Sequence, residues 1–265
     1  MKKVTMVVLA LVVGLINSTV VQANAKDQYH FWDVGVELSN IVYKEPGRMK
    51  ESGDMIGITG SYAYHNNVMI KFEGVFKYGQ VDYDGKLQNG TPITLNNIDD
   101  YITEIRGLSG YDFQVATTTI TPYIGLGYRY LIDTMGSVFM HGYDRESNYL
   151  YSPIGLTTLT NLQNGWSVGV ILEYDVFWRG TQKSYMSNLQ HGYNDIKKDQ
   201  HSGYGLRGSI KIQKSHFLIE PFIRYWNIGD SDISMLTSYG SPIGKWFFEP
   251  NNNSTEIGLR VIWRF

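Results

Sequence analysis

Over residues 255–265 the chain alternates without a break, with Thr255, Ile257, Leu259, Val261, Trp263 and Phe265 on one face and Glu256, Gly258, Arg260, Ile262 and Arg264 on the other. A period of two is the repeat of an extended strand, whose successive side chains point to opposite sides. A strand with one face this apolar and the other this charged needs two different environments. It also stops on an aromatic inside the alternation, at the last residue of the chain.

Nine earlier runs repeat the pattern. In the first, Trp32, Val34, Val36 and Leu38 oppose Asp33, Gly35, Glu37 and Ser39, and in the second Ile56, Ile58, Tyr62 and Tyr64 oppose Gly57, Thr59, Ser61 and Ala63. The third sets Val68, Ile70, Phe72, Phe76 and Tyr78 against Lys71, Glu73 and Lys77; the fourth sets Tyr101, Ile105, Tyr111 and Phe113 against Glu104, Arg106 and Asp112. The fifth runs through Ile120, Ile124, Leu126, Tyr128 and Tyr130. A sixth, about 149–159, is the least regular. The seventh is bounded by Trp166 and Trp178 and carries Glu173 and Asp175 on its second face. Arg207 and Lys211 occupy that face in the eighth run, and Glu220 and Arg224 in the ninth. Pro122, Pro153 and Pro221 fall inside these runs and, lacking an N–H, predict local bulges.

The connections alternate in length. Those near 65–67, 114–117, 161–165 and 213–215 are short; those at 43–54, 79–100, 133–148, 180–201 and 229–253 are long. Upstream, Lys2 and Lys3 precede an apolar stretch over 7–16 that ends in Ala23-Asn24-Ala25, the layout of a cleavable export signal over 1–25. No later run approaches the roughly 20 apolar residues of a membrane helix. The absence of cysteine excludes disulfides and thiolate metal sites, and a formal charge of −2 gives no reason to expect nucleic-acid binding.

The terminal strand resembles the C-terminal strand of Gram-negative outer-membrane barrels, in which a final Phe acts as the assembly signal; Trp263 and Phe265 take that place here. The resemblance implies an all-β fold for 26–265: a closed antiparallel transmembrane barrel of ten strands in the bacterial outer membrane. It also implies short periplasmic turns and long extracellular loops. Membrane lipid, lipopolysaccharide and the barrel assembly machinery are the expected partners, with an extracellular ligand open and no cofactor expected. The second faces then fill the lumen. Their acids are Asp33, Glu37, Glu73, Glu104, Asp112, Glu173, Asp175, Glu220 and Glu256, and their bases Lys71, Lys77, Arg106, Arg129, Arg207, Lys211, Arg224, Arg260 and Arg264. This balance predicts a lumen closed by ion pairs rather than a pore, since an unpaired charge off bulk water is costly.

Ten-stranded barrels include the omptin proteases, which activate water between an Asp pair and an Asp/His pair on facing loops. Asp82 and Asp84 leave the third run, and Asp199 and His201 enter the eighth, so these four are the candidate catalytic set. The family's Asp/His pair follows the seventh run, however, and 179–187 holds neither residue. His30, His65, His141, His191 and His216 have no metal-ligand spacing. The reading that follows is a non-enzymatic surface protein, with adhesion, ligand binding or envelope integrity as its role; an omptin-like endopeptidase is the alternative and a narrow pore the third.

Deleting Phe265, or replacing it with Asp, is expected to block membrane assembly while export proceeds. Heat-modifiable gel mobility of the membrane fraction measures this, and normal assembly of the variant would contradict the assignment.

Overall fold

The computed structural model describes residues 29–86 and 90–265, and the expected export signal over 1–25 lies outside them. The strands are β1 (His30–Glu45), β2 (Met49–Asn66), β3 (Val68–Lys86), β4 (Pro92–Tyr111), β5 (Phe113–Val115), β6 (Thr118–Asp133) and β7 (Arg145–Asn161). They continue with β8 (Trp166–Ser184), β9 (Ile196–Gln200), β10 (Gly203–Lys214), β11 (Phe217–Ile228), β12 (Ser234–Ser238), β13 (Ser241–Phe247) and β14 (Asn252–Arg264). A single helical turn, α1 (Met135–Val138), lies between β6 and β7. Ten strands close a ring in the order β1, β2, β3, β4, β6, β7, β8, β10, β11, β14 and back to β1, each antiparallel to its neighbours. Closure pairs every strand on both sides, the condition for a sheet to sit in lipid. Strand β5 prolongs β4 past Asp112, and β9 prolongs the line of β10 past 201–202 along β8.

The outward face carries an apolar belt: Val34 and Leu38, Ile58, Phe72 and Phe76, Ile105, Leu126, Leu172, Ile210, Ile223 and Ile257 are all exposed. Trp32, Trp166 and Trp263 edge it at the short-turn end, and Tyr78, Tyr101 and Trp178 at the other, as aromatic girdles do at the two interfaces. No described helix is long and apolar enough to cross a membrane. A belt this large, facing outward on a closed ring with a polar interior, makes the chain an outer-membrane barrel that crosses with its strands.

The short turns fall where the alternation places them. Most of the first two long connections is strand, because β1, β2, β3 and β4 run on through 43–45, 49–54, 79–86 and 92–100. Strands β2, β3 and β4 have 18, 19 and 20 residues, about twice the 9–11 that a tilted strand needs to cross lipid. Only 46–48 separate β1 from β2, with Gly47 at φ +75°. What changes along these strands is polarity. On β3 the outward residues turn from Phe76 and Tyr78 to Gln80, Asp82 and Asp84, while the inward ones turn from Lys71, Glu73 and Lys77 to Val81 and Tyr83. The pleat is unbroken across Gly79; the medium outside has become water.

The interior is built in layers. Midway through the belt Arg224 on β11 donates two hydrogen bonds to Glu37 on β1 at 2.8 and 2.9 Å, Arg260 reaches Glu37 at 2.7 Å, and Lys77 on β3 crosses the lumen to Glu256 on β14. Arg207 on β10 crosses to Glu104 on β4 at 2.5 Å and holds Asp175 at 2.6 Å; Arg106 joins Glu73 and Glu173. Gly57 lies beside Lys77 and Gly127 beside the Tyr151 ring, so glycines leave the width these long side chains need. Glu37 and Lys77 are wholly buried, and the expected ion-paired plug is present. Above it lies an apolar layer of Ile41, Met55, Val81, Ile98 and Ile102 on one side and Tyr149, Phe177, Trp226 and Ile228 on the other.

Pro122 and Pro221 are accommodated without the expected bulges, and near Pro153 the β8 side carries a register shift between Leu150 and Tyr151. Beside Pro122 the ladder to β4 and β5 skips from Gly110–Tyr123 to Phe113–Ile120. Beside Pro153 the β6 ladder skips from Ile124–Ile154 to Gly127–Tyr151. Beside Pro221 the β10 ladder skips from Ser209–Phe222 to Ile212–Ile219. Register is the same on either side of each gap, so each proline costs a ladder bond at its own pair without shifting that strand pair.

Reversing the central charge, Arg224→Glu, leaves Glu37 and Glu256 buried against a third carboxylate. The expected loss is about 3–5 kcal/mol, read from the urea midpoint of the refolded barrel. An unchanged midpoint would contradict a structural role for the plug.

Candidate functional site

Above the apolar layer and the belt, Arg145 at the start of β7 is shared by three carboxylates. Its Nε bonds Asp133 at 2.6 Å, its Nη1 reaches Glu45 at 3.3 Å, and its Nη2 bonds Glu51. Opposite, Lys198 on β9 meets Glu249 at 3.4 Å, and the Tyr43 hydroxyl lies between Glu45 at 3.4 Å and Glu249 at 3.3 Å. One guanidinium serving three buried acids leaves acid in surplus. Burial pushes the Glu45 carboxyl up to about 7 and the Glu51 carboxyl up to about 8, with Arg145 opposing the shift in both. Burial also holds the Asp100 carboxyl well above the usual range, and Asp133 adds to it. These residues lie in segments whose alternation continues past the belt, and the inward parity of Glu45, Glu51 and Asp133 was the sequence signal for them.

A folded cap covers this tier. Strands β12 and β13 form a hairpin that packs Leu236 onto Met186 and Ile196, with Tyr143, Tyr193, Ile243 and Phe247 around them. The hairpin is tied to the segment before β9: Tyr239 N–H donates to Gly192 O at 2.7 Å and Asn194 N–H to Thr237 O at 3.0 Å. Gly192, at φ +97°, lies against the Tyr239 ring where a side chain would collide. Outward from this small core stand Ile233, Tyr239 and Trp246, exposed by 66, 76 and 62%, and Met140 beyond α1 by 81%.

The four candidate catalytic residues do not converge. Asp82 and Asp84 lie on the outward face of β3, alternating with the buried Val81 and the inward Tyr83, and Asp82 accepts from Asn97 N–H at 3.1 Å within its own hairpin. Asp199 lies on the outward face of β9, where Arg179 at 2.6 Å holds its carboxyl below the usual range and Thr181 also donates to it. His201 pairs instead with Asp232 at 3.0 Å, both well exposed. Strands β3 and β9 stand on opposite sides of the ring, so outward residues on them point away from each other. Among the described residues no group of three or more His, Asp and Glu is placed to hold a metal ion. Trp263 pairs with Val34 and Phe217, and Phe265 N–H donates to Trp32 O at 2.8 Å, so the chain end forms part of the closing seam.

The fold is shared with the outer membrane protease OmpT of Escherichia coli, at 9% identity and a TM-score of 0.60 over 92% of this chain and 99% of that one. The translocator domain of the autotransporter NalP of Neisseria meningitidis matches at 10% identity and a TM-score of 0.43, over 100% of this chain and 96% of that one. No protein-family model and no curated protein sequence matches the chain. At these identities the likeness is one of fold: the chain has the architecture of Gram-negative outer-membrane β-barrels and lies in the outer membrane by its belt.

The surplus acid gives a pH dependence with a definite sign. A carboxyl whose folded value is raised binds more protons folded than unfolded, so stability is highest below its ordinary 4.5 and declines as pH rises toward about 8. The melting temperature is expected to fall between about pH 5 and about pH 8, less steeply in Glu51→Gln. A melting temperature that rises over this interval would contradict the surplus.

Proposed function

We propose that this protein is a non-enzymatic surface-binding barrel whose recognition face is the cap built by β12, β13 and the segment before β9. The observation that carries the reading is that Ile233, Tyr239 and Trp246 are exposed above the lipid belt on a hairpin with its own apolar core. Large rings held rigidly in water supply contact area at low entropic cost, and exposed apolar surface away from lipid marks interaction sites. The ion-paired lumen below supports a role at the surface rather than in conduction. The belt faces outer-membrane lipid and, in the outer leaflet, lipopolysaccharide; Trp263 and Phe265 serve recognition by the assembly machinery.

Two arms of one experiment test the reading. Bacteria displaying the barrel are expected to adhere to host-cell or extracellular-matrix layers more than bacteria without it. The triple variant Ile233→Ser, Tyr239→Ala, Trp246→Ala is expected to lose that gain at equal surface abundance. Purified barrel with lipopolysaccharide is expected to leave a broad peptide mixture intact. Peptide cleavage that disappears in His201→Ala would replace this reading with the omptin-like endopeptidase.

A further inference from the structure

Below the plug the lumen is not filled. A cavity of 130 Å³ extends from the mid-lumen ion pairs to the periplasmic rim, where His65 and Arg264 line it. That is room for several waters or one small ion. Exposure follows the same direction: the side chains of Lys71 and Arg264 are 22 and 19% exposed, against 0% for Lys77 in the plug.

The cavity's bases are matched with carboxylates one by one until a single base remains. Arg264 bonds Asp33 at 2.7 Å, Lys71 pairs with Glu73, and Arg260 reaches Glu220 at 3.2 Å. Arg106, Arg207 and Arg224 are taken up by the plug. Lys211 has no carboxylate within 4 Å and no hydrogen bond among the described residues. Its strand partner on β8 is Gly169, which offers no side chain, and across the Pro221 ladder gap its register neighbour is Glu220, which pairs with Arg260 instead. It faces inward, since Ile210 and Ile212 beside it belong to the outer belt. Ser209 of the same strand and Ser61 of β2 line the same space.

A lysine held off bulk water without a direct ion pair is costly, and the carboxylates that act on it from beyond 4 Å, Glu220 and Asp33, are engaged by Arg260 and Arg264. We propose that the cavity binds a small oxyanion of the phosphate type, entering from the periplasm, with Lys211 as its charge partner. The ammonium group offers three donors, and the hydroxyls of Ser209 and Ser61 and the cations Lys71 and Arg264 surround the remaining acceptors. Several donors around one open space suit an anion with several acceptor oxygens better than a halide. The site is closed toward the cell exterior by the plug, so it is independent of the recognition face proposed for the cap.

The test uses the full refolded barrel in zwitterionic detergent, with inorganic phosphate as the probe. Calorimetric titration and thermal unfolding are run against sodium chloride of matched ionic strength. Wild type and the outward-facing control Lys44→Met are expected to bind phosphate and to melt higher in it than in chloride. Lys211→Met is expected to bind at least about tenfold more weakly, and to melt no lower than wild type in phosphate-free buffer because the uncompensated charge is gone. Absence of a phosphate-specific response in wild type would overturn the proposal whatever the variant does. So would a folded Lys211→Met that binds phosphate as wild type does.

Discussion

Closure of the sheet in lipid is the constraint from which the other features follow. Hydrocarbon offers no partner to a free N–H or C=O, so β14 must pair with both β1 and β11, and ten strands must share one narrow interior. Narrowness brings Lys77 within reach of Glu256, and Arg207 within reach of Glu104, across the lumen rather than along one wall. Most of the inward charges therefore neutralise one another in place of water, while Arg129, 3.9 Å from Glu104, and Lys211 stand without a close pair. The same seam explains why the last residue matters: Phe265 is bonded to the first strand at the point where the ring is completed.

Outside the membrane the wall persists while its two faces exchange character. Inward Val81, Ile98, Ile102 and Met55 form a core like that of a water-soluble protein, and outward Asp82, Asp84, Gln80 and Lys50 meet water. An apolar layer resting on an ion-paired plug makes the extracellular half a rigid pedestal. The cap hairpin is held to β9 and the segment before it by its own core of Leu236, Met186 and Ile196, which is how a connection of 23 residues, 229–251, positions its aromatic side chains.

All ten spans were legible in the sequence, because lipid on one side and paired charge on the other impose a period of two, which is least regular in the sixth run, where β7 carries Pro153 and a register shift. The closed lumen was legible as well, from nine acids matched by nine bases. The first two extracellular connections were not. Alternation over 43–54 and 79–100 changes polarity at the water boundary, and a reading keyed to outward apolar residues loses the strand there although pairing continues, through a bulge at Asn96 and Asn97 on β4. The candidate set failed for the same reason: parity along β3 sends Asp82 and Asp84 outward with Phe76 and Tyr78. The pairing of Arg224 with Glu37, or of Arg145 with three acids, depends on how far strands are staggered around the ring, which no local pattern encodes. The hairpin fold of the cap was not legible, because Ser, Tyr and Gly over 238–244 read as loop composition, whereas its apolar core draws on Met186 and Ile196, 40 or more positions before Leu236.

Single-channel recording in planar bilayers addresses the central claim, that the lumen is closed by cross-lumen ion pairs. The wild-type barrel is expected to insert without steady conductance. Replacing Arg207 and Lys77 together with Ser is expected to open a current whose ion selectivity shifts toward cations, since Glu104 and Glu256 are then left unmatched. Steady ohmic conductance through the wild type, unaltered by that double replacement, would contradict the account.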